Sequence, residues 1–450
     1  MTAPPTADDP PTSADERGDA DRGGQDAGQR AAGPGQAIGT AWVDRPAHRR
    51  WLAGESDRLL AFSIGSVDPA GGFGWLDDDG RLTPGRAVET WISTRMTHVF
   101  AVGHLLAIPG CASLVDHGIA ALRTVLADEV DGGWYAAADR RNGGEKRAYE
   151  HAFVLLAAAS ATVAGRPGAH GLFADVEAVI LDHFWDDERG VLVDVWDRSW
   201  TAREPYGGAN ANMHAVEAFL SAADTTGDAT WRERALRIAG FFVDRHARAH
   251  DWRIPEHFDA EWNEVPDYNR AHPAHPFRPY GATIGHGFEW ARLCLHLHAS
   301  CSGPSLGDAA PGWLVEAARG LFDRAVSDGW RTDGFVYTTD WTGKPVVDDR
   351  LHWVVCEAIA AAAALGRVTG EPRYEACYRQ WWDVAERFFV DRRRGSWRAQ
   401  LDAGNTPATT VWSGKPDTYH AFQATLLPRL PLHPSLASSV ATGMVDVDRI

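Results

Sequence analysis

The sequence has little cysteine, no long apolar run and no excess of positive charge, and each of these absences excludes a class of protein. Its five cysteines among 450 residues show no CxxC spacing, so neither a disulfide scaffold nor a structural zinc site is predicted. No stretch of about 18 apolar residues exists, so no transmembrane helix is predicted. The 44 Lys and Arg face 61 Asp and Glu, a net charge of -17. We therefore expect neither a membrane nor a nucleic acid as partner.

Residues 1–40 differ in composition from the rest of the chain. They are rich in Pro, Gly, Ala and Asp and have almost no large apolar side chains. Such a segment cannot bury enough surface to offset the entropy lost on ordering, so it is predicted to be a disordered acidic tail. It also lacks the basic start and apolar core of a secretory signal, which favours a cytoplasmic protein. Residues 41–450 keep one composition throughout and are predicted to form a single catalytic domain.

Tryptophan is the residue that the chain has in unusual number, 20 in all. Indole faces stack on the C–H faces of sugars, so a Trp-rich chain of this kind is compatible with a carbohydrate cleft. A large apolar core would use the same residues, and the composition alone does not separate the two interpretations.

Apolar residues at spacings of three and four mark two kinds of predicted helix. The first kind is amphipathic and charged, at residues 44–62, 111–126, 171–183, 228–248, 312–327 and 371–391. The second kind is apolar all round, at residues 93–107, 148–162, 210–223, 283–300, 351–365 and 419–427. The two kinds alternate along the chain. Because a helix that is apolar on every side must be surrounded by protein, the pattern predicts an all-α fold, an (α/α)6 barrel with the second kind inside.

The connections between these predicted helices are of two lengths. Those from an outer helix to the next inner helix run about 20 to 35 residues, whereas the return connections are short. All the long loops therefore gather at one end of the barrel. Asp and Gly turns between aromatic runs predict short β-hairpins in these loops, at residues 71–82, 131–139, 185–196, 333–341 and 395–405. We expect the loops to form the rim of a cleft over the N-terminal ends of the inner helices.

Histidines recur near the starts of the predicted inner helices. They are His98, His151, His214, His286, His352 and His420. His214 and His286 are each followed three residues later by a glutamate, which puts imidazole and carboxylate on the same face of the helix. His98, His151 and His352 are more simply interpreted as core histidines that bond to neighbouring backbone.

These residue types permit two kinds of site. A metal site would resemble the carboxylate and histidine clusters of helical-bundle metalloproteins, and its ligands would be His214, Glu217, His286 and Glu289. An acid/base site would use imidazoles that a helix N-terminus keeps neutral, and these can take a proton from a carbon next to a sugar carbonyl. A nearby cation would stabilise the enediolate oxygen, and Arg95 and Arg278 lie beside the same mouth.

Five segments of the chain resemble the N-acylglucosamine 2-epimerase superfamily. They are TRMTHVF at 94–100, NANMHAVE at 210–217, RPYGATIGHGFEWAR at 278–292, HWVVCE at 352–357 and SGKPDTYHAFQATLLP at 413–428. The resemblance spans about residues 42–432, and IGHGFEWARL and GKPDTYH are its specific segments. It implies an (α/α)6 barrel and a proton-transfer reaction on a free reducing sugar, with no metal and no other cofactor.

The resemblance also implies which residues form the site. The two catalytic histidines of the superfamily match His286 and His420. The other matched positions are expected to bind sugar hydroxyls or to position the two bases. They are Arg95, Tyr149, Asn210, His214, Glu217, Arg278, Glu289, Trp353 and Glu357.

The segment after His420 separates two branches of the superfamily. The N-acylglucosamine and cellobiose 2-epimerases carry an Arg shortly after the last catalytic histidine, in patterns like FHVPR, whereas this chain reads YHAFQATLLP. In this it is similar to the mannose and sulfoquinovose isomerase branch. That similarity implies an aldose–ketose isomerase acting on a free monosaccharide, D-mannose to D-fructose above all, through a cis-enediolate.

Several alternatives stay open at this point. A sulfoquinovose isomerase would need a positive pocket, for which Arg203, Arg278 or Lys415 are candidates. A 2-epimerase would produce a second aldose and no ketose.

Two more distant alternatives share only the fold or the aromatic cleft. An (α/α)6 glycosidase would use paired carboxylates near Asp267, Glu289 or Glu357. A sugar-binding module would bind its ligand without turnover. The oligomeric state is open between a monomer and a homodimer.

Overall fold

The computed structural model describes residues 40–302 and 310–445. Apart from Thr40, the tail predicted at residues 1–40 lies outside the described residues. In the part of the chain that is described, no helix has both the length and the apolar character needed to cross a bilayer.

The described residues form α-helices at the positions that the periodicity predicts, with ends that differ by a few residues. Helices α1 to α13 are Pro46–Ser63, Thr90–Leu105, Cys111–Arg123, Ala148–Val163, Ala169–Val179, Ala209–Thr226, Ala229–Ala239, Ile284–Cys301, Trp313–Gly329, His352–Thr369, Pro372–Val384, Tyr419–Leu426 and Leu436–Ala441. Helices α5, α7 and α11 continue as π-helical turns, Ile180–Phe184, Gly240–Ala247 and Ala385–Phe389.

The even-numbered helices α2 to α12 pack in a ring. Helix α2 contacts α4, and the contacts continue through α6, α8, α10 and α12, which returns to α2. Each of these helices also packs against an odd-numbered neighbour outside the ring. Most side chains of the even-numbered helices are buried, which is the environment that their all-round apolar sequence requires. The predicted (α/α)6 barrel is confirmed.

Local sequence explains where several of these helices begin and end. Pro46 stands in the first turn of α1, where its missing N–H leaves no bond unmade. The Asp228 carboxylate accepts the N–H of Thr230 at 2.9 Å and caps α7. Helices α6 and α10 end at Gly227 and Gly370, whose φ angles of 76° and 66° suit glycine.

Short strands occupy the long loops. Strands β1 to β13 are Lys146–Arg147, Trp185–Asp186, Val191–Leu192, Val195–Trp196, Tyr206–Gly208, His257–Asp259, Ala282–Thr283, Trp330–Arg331, Gly334–Phe335, Thr338–Thr339, Pro345–Val347, Arg350–Leu351 and Gln400–Leu401. The hairpin predicted at 185–196 is present as β2 and β3. Within the segment 333–341, β10 pairs with β11, which lies beyond the predicted end of the hairpin. At 71–82, 131–139 and 395–405 the predicted hairpins are largely reduced to isolated bridges.

The segment just before each inner helix pairs with the next long loop along the chain, and this pairing holds the start of the helix in place. Strands β1, β5, β7 and β12 run directly into α4, α6, α8 and α10, and they pair with β4, β6, β10 and β13 of the next long loop. A bridge between Glu89 and Ala137 does the same before α2. The cycle closes before α12, where the Lys415 N–H donates to the Leu76 carbonyl at 2.9 Å.

Candidate active site

A cavity lies at the N-terminal ends of the inner helices, and we call it the inner cavity. The residues predicted for the site that line it are Arg95, Tyr149, Asn210, His214, His286, Glu289, Trp353 and His420. All six inner helices, α2, α4, α6, α8, α10 and α12, therefore contribute side chains to this cavity.

The two histidines matched to the catalytic pair both lie close to one indole. The ring centroid of Trp353 lies 5.4 Å from that of His286 and 5.8 Å from that of His420. His286 lies in the first turn of α8, and His420 lies in the first turn of α12. The structure thus brings both rings to one cavity.

Each of these histidines contacts a buried carboxylate through Nδ1. His286 Nδ1 lies 2.9 and 3.0 Å from the two oxygens of Glu256. His420 Nδ1 lies 2.9 Å from Glu357 Oε1. An ionised carboxylate only accepts, so Nδ1 of each ring carries the hydrogen and Nε2 is left for the cavity. The same carboxylate stabilises the ring when Nε2 takes up a proton.

The carboxylates below His420 form a chain of buried contacts. Arg292 Nε donates to Glu357 Oε2 at 2.9 Å, and Arg292 Nη2 lies 3.6 Å from Glu289 Oε1. Burial opposes ionisation of Glu357, but Arg292 and His420 hold its pKa below the usual range. Burial and the charge of Glu357 raise the pKa of Glu289 well above its usual range. Burial thus favours the protonated form of Glu289, which can donate a hydrogen bond.

His214 lies beside Glu289 on the cavity floor. Its Nδ1 is 3.5 Å from Glu289 Oε1, and neither atom has a hydrogen-bond partner within residues 40–302 and 310–445. Burial, followed by the charges of Arg95, His420 and His286, holds the pKa of His214 well below its usual range. Burial thus favours the neutral form of both groups.

The floor also contains the arrangement that a metal site would need. Ligand atoms of His214, Glu217 and Glu289 lie within 4.8 Å of one another. The oxygens of Glu217, however, accept hydrogen bonds from Tyr419 Oη at 2.5 Å and Gln423 Nε2 at 2.9 Å. Glu217 is thus bonded to two internal donors, whereas Glu289 Oε1 lies 3.6 Å from Arg292 Nη2.

Arg95 forms the cationic group of the inner cavity. Its Nη1 lies 3.1 Å from Asp417 Oδ2, and its Nη2 donates to Tyr149 Oη at 2.8 Å. Its Nε has no hydrogen-bond partner among the described residues and is buried. The guanidinium is therefore held in place by two neighbours and retains one free donor.

Arg278 lies beside the inner cavity and is not part of its lining. Its two terminal nitrogens each donate to a Glu204 oxygen at 2.8 Å, and the guanidinium stacks at 3.8 Å over Tyr206. These groups line a second, outer cavity. The preceding residue, Phe277, lines both cavities, which also share Trp91, Tyr149, Asn210 and Pro276.

Two glutamates matched to the site lie beneath the inner cavity instead of lining it. Glu217 bonds to Tyr419 and Gln423, and Glu357 bonds to His420 and Arg292. Glu357 therefore contacts the cavity only through His420.

The predicted register of six histidines is wrong in part. His98 lies two turns into α2 and His214 lies in the second turn of α6, so only the other members stand in a first turn. His98 Nδ1 bonds to Ser160 Oγ at 2.7 Å and His151 Nδ1 to the Arg147 carbonyl at 2.7 Å, both in the core as predicted.

His352 was interpreted as a core histidine, and the structure corrects this as well. It is the first residue of α10, it is only half-buried, and it lines the inner cavity beside Trp353.

Sequence reasoning missed Glu256 and three aromatic residues of the inner cavity, Trp91, Phe277 and Trp412, which we call the roof. Glu256 precedes β6, and its carbonyl accepts the N–H of Ala209 at 3.0 Å. In the roof, the Phe277 ring lies 5.4 Å from Trp412 and 5.9 Å from Trp91. No periodicity marks residues of a long loop, so these had no signal beyond the abundance of aromatic residues.

Comparison with known proteins gives the family. The N-acylglucosamine 2-epimerase (GlcNAc 2-epimerase) family model matches residues 71–424. The D-mannose isomerase of Thermobifida fusca is 53% identical over 410 residues, which cover 90% of this chain and 99% of that protein. The D-mannose isomerase of Pseudomonas cannabina pv. alisalensis is 52% identical over 406 residues, which cover 89% of this chain and 97% of that protein.

Solved structures agree with this. A crystal structure of a D-mannose isomerase matches with a TM-score of 0.78 at 29% identity, covering 85% of this chain and 99% of that chain. The cellobiose 2-epimerase of Spirochaeta thermophila matches in fold, with a TM-score of 0.72 at 20% identity over 84% of this chain and 95% of that one. The chain belongs to the N-acylglucosamine 2-epimerase family. Within it, the chain is a sugar isomerase of the mannose isomerase branch.

Proposed function

We propose that this enzyme interconverts D-mannose and D-fructose by proton transfer between C2 and C1, without a metal ion. The observation that carries the proposal is the pair of imidazoles in one cavity, His286 and His420, each with Nδ1 on a buried carboxylate. The similarity to two D-mannose isomerases at about half identity supports this choice of sugar.

The reaction consists of proton transfers only, and the sugar and the two imidazoles supply the groups that exchange these protons. One imidazole assists opening of the pyranose ring. Nε2 of His286 or His420 then removes the C2 proton of the aldose while O1 gains a proton, which gives a cis-enediol or enediolate. O2 then loses its proton as C1 receives one, and the ketose forms. Arg95 and Glu289, which both line the inner cavity, would steady the reacting oxygens.

The charges of the inner cavity favour a neutral sugar over a sulfonate. Among the described residues that line it, Arg95 is the one Arg or Lys, and Asp417 balances its charge. Lys415 is buried against Asp391 at 2.9 Å, and Arg203 lies in the outer cavity. A sulfonate would thus be desolvated without a free cation to receive it.

The glycosidase alternative loses one of its candidate carboxylates. Asp267 lies on the exposed surface and pairs with Arg270 at 3.1 Å. Glu289 and Glu357 remain, but both are buried around Arg292 and leave no ionised pair facing the cavity.

The test is turnover in deuterated water with a chelator present. D-mannose should give D-fructose, with deuterium entering C1 of the product and C2 of recovered mannose, at a rate that the chelator does not change. Sulfoquinovose should react far more slowly. Absence of label at both carbons, or loss of activity on metal removal, would contradict the mechanism. A second aldose without ketose would identify a 2-epimerase.

A further inference from the structure

His352 is a third histidine of the inner cavity, and the proposed reaction does not use it. The main-chain N–H of His352 donates to the Ala399 carbonyl at 3.0 Å, and the ring Nδ1 lies 3.2 Å from the same oxygen. Pairing of β12 with β13 holds the two segments together just before this point. A carbonyl only accepts, so the hydrogen sits on Nδ1 and the lone pair on Nε2.

The ring is poorly suited to proton transfer. Burial lowers the pKa of His352 to about 4, and the charge of Asp417 raises it too little to compensate. At pH 7 about one ring in a thousand would then be protonated. A general base works best with a pKa near the working pH, so His352 is a weak base that can nevertheless accept a hydrogen bond.

The surroundings of Nε2 are open and polar. The ring lines the inner cavity, and within the described residues no hydrogen bond to Nε2 is found. Asp417, Arg95 and His420 are the charged or titratable groups that act on it. Asp417 and Arg95 already satisfy each other at 3.1 Å, so the partner of Nε2 must come from outside the protein.

We propose that His352 is a sugar-binding residue: its Nε2 accepts a hydrogen bond from one hydroxyl of the neutral monosaccharide and holds the sugar beside His420. This rests on the proposed function for the nature of the sugar. It gives the cavity a fixed acceptor to complement the free donor of Arg95. A hydroxyl is the matching group because the ring cannot donate at Nε2.

The experiment compares His352→Leu with His352→Gln. Leucine removes the acceptor, whereas the glutamine side chain is long enough to place an oxygen near the position of Nε2. We expect His352→Leu to raise KM for D-mannose by about 10- to 100-fold, the range for a lost buried hydrogen bond, with kcat changed by less than about threefold. His352→Gln should recover most of the lost affinity. The control is His170→Leu on the exposed side of α5, with wild-type KM expected.

Three results would overturn the inference. If kcat falls by roughly 100-fold or more while KM stays unchanged, His352 is a proton-transfer group. Unchanged kinetics in His352→Leu would show that the residue is structural. An equal rise in KM in both variants would show that Nε2 does not act as a hydrogen-bond acceptor for the sugar.

Two controls keep these outcomes distinct. Circular dichroism and thermal melting of each variant establish that it folds, and if His352→Leu does not, His352→Gln against wild type decides. Wild-type turnover of D-mannose tests the proposed function separately. If wild type converts another sugar instead, that sugar replaces mannose in the same comparison.

Discussion

Within the described part of the barrel, four histidines stand in the first turn of an inner helix, and they form two pairs according to what Nδ1 contacts. In His286 and His420 it contacts a buried carboxylate. In His151 and His352 it contacts a main-chain carbonyl. The position on the helix is the same in both pairs, so the helix N-terminus does not by itself make a catalytic base.

The partner of Nδ1 controls whether the ring can hold a second proton. Burial lowers the pKa of His151 to about 3 and that of His352 to about 4, and a carbonyl dipole does not offset this. A full negative charge on the far side of the ring stabilises the imidazolium that forms during proton transfer. The comparison therefore teaches that catalytic histidines are to be sought beside buried carboxylates.

The largest effect should come from removing either carboxylate-backed ring. In His286→Ala and in His420→Ala we expect kcat to fall by roughly 100-fold or more, the scale of a positioned acid or base. The barrel should remain folded, which thermal melting checks. If either variant retains wild-type turnover, the corresponding ring is no acid or base of this reaction.

A smaller effect should follow when the carboxylate is neutralised and the ring kept. In Glu256→Gln and Glu357→Gln the amide oxygen can still accept from Nδ1, but the charge is gone. We expect kcat/KM to fall by about 10- to 100-fold in both, the scale of a hydrogen bond to a charged group. Steady-state kinetics over pH 5 to 9 measures the loss and any change in the shape of the profile.

Stability should separate these two variants. Glu357 also balances Arg292 at 2.9 Å, whereas Glu256 bonds to His286 alone among the described side chains. Glu357→Gln should therefore cost about 3 kcal/mol of unfolding free energy, and Glu256→Gln much less. The matched control is Glu150→Gln, a buried carboxyl that contacts Arg147 and, among the described residues, bonds to no histidine, and it should keep activity within about threefold. Equal destabilisation by both substitutions would refute the asymmetry.

The smallest effect concerns acid stability, to which buried histidines without a carboxylate contribute. Burial lowers the pKa of His98 from 6.5 to about 4. Its stabilising contribution is therefore complete above pH 6.5 and is lost as the pH falls toward 4. Between pH 6.5 and 5.5 this amounts to about 1 kcal/mol. Urea unfolding should show that the free energy of unfolding falls by about 1 kcal/mol more in wild type than in His98→Asn between pH 6.5 and 5.5. Between pH 8.5 and 7.5 the two proteins should show the same change. An unchanged pH dependence in the variant would contradict the assignment.

The barrel was predictable from the sequence because six all-round apolar segments have few other ways to be buried. Residues His286 and His420 were predictable because they lie in specific segments of a known family. Glu256 was not, because it reaches His286 from a long loop whose path no periodicity encodes. His352 was misjudged because residue type and helix position match those of His151, and only the surrounding packing sends one ring to the cavity and the other to the core.

Arg278 shows a second limit of sequence reasoning. It follows Phe277 directly, and the family match treats this stretch as one pocket segment. The phenyl ring lines both cavities, whereas the guanidinium lines the outer cavity, where Glu204 and Tyr206 hold it. Which of two adjacent loop residues faces a ligand depends on backbone torsions that the residue types do not specify.

The clamping of each inner helix by the loop that follows it has a consequence for how this architecture tolerates change. In an open solenoid the terminal repeats fray without disturbing the middle. Here each helix start is fastened by its successor and the last is fastened by the first, so no repeat is terminal. A change in the length of a long loop should therefore disturb the start of the preceding inner helix, with which that loop pairs. Variation in a family built this way should concentrate in the loop tips, outside the paired segments.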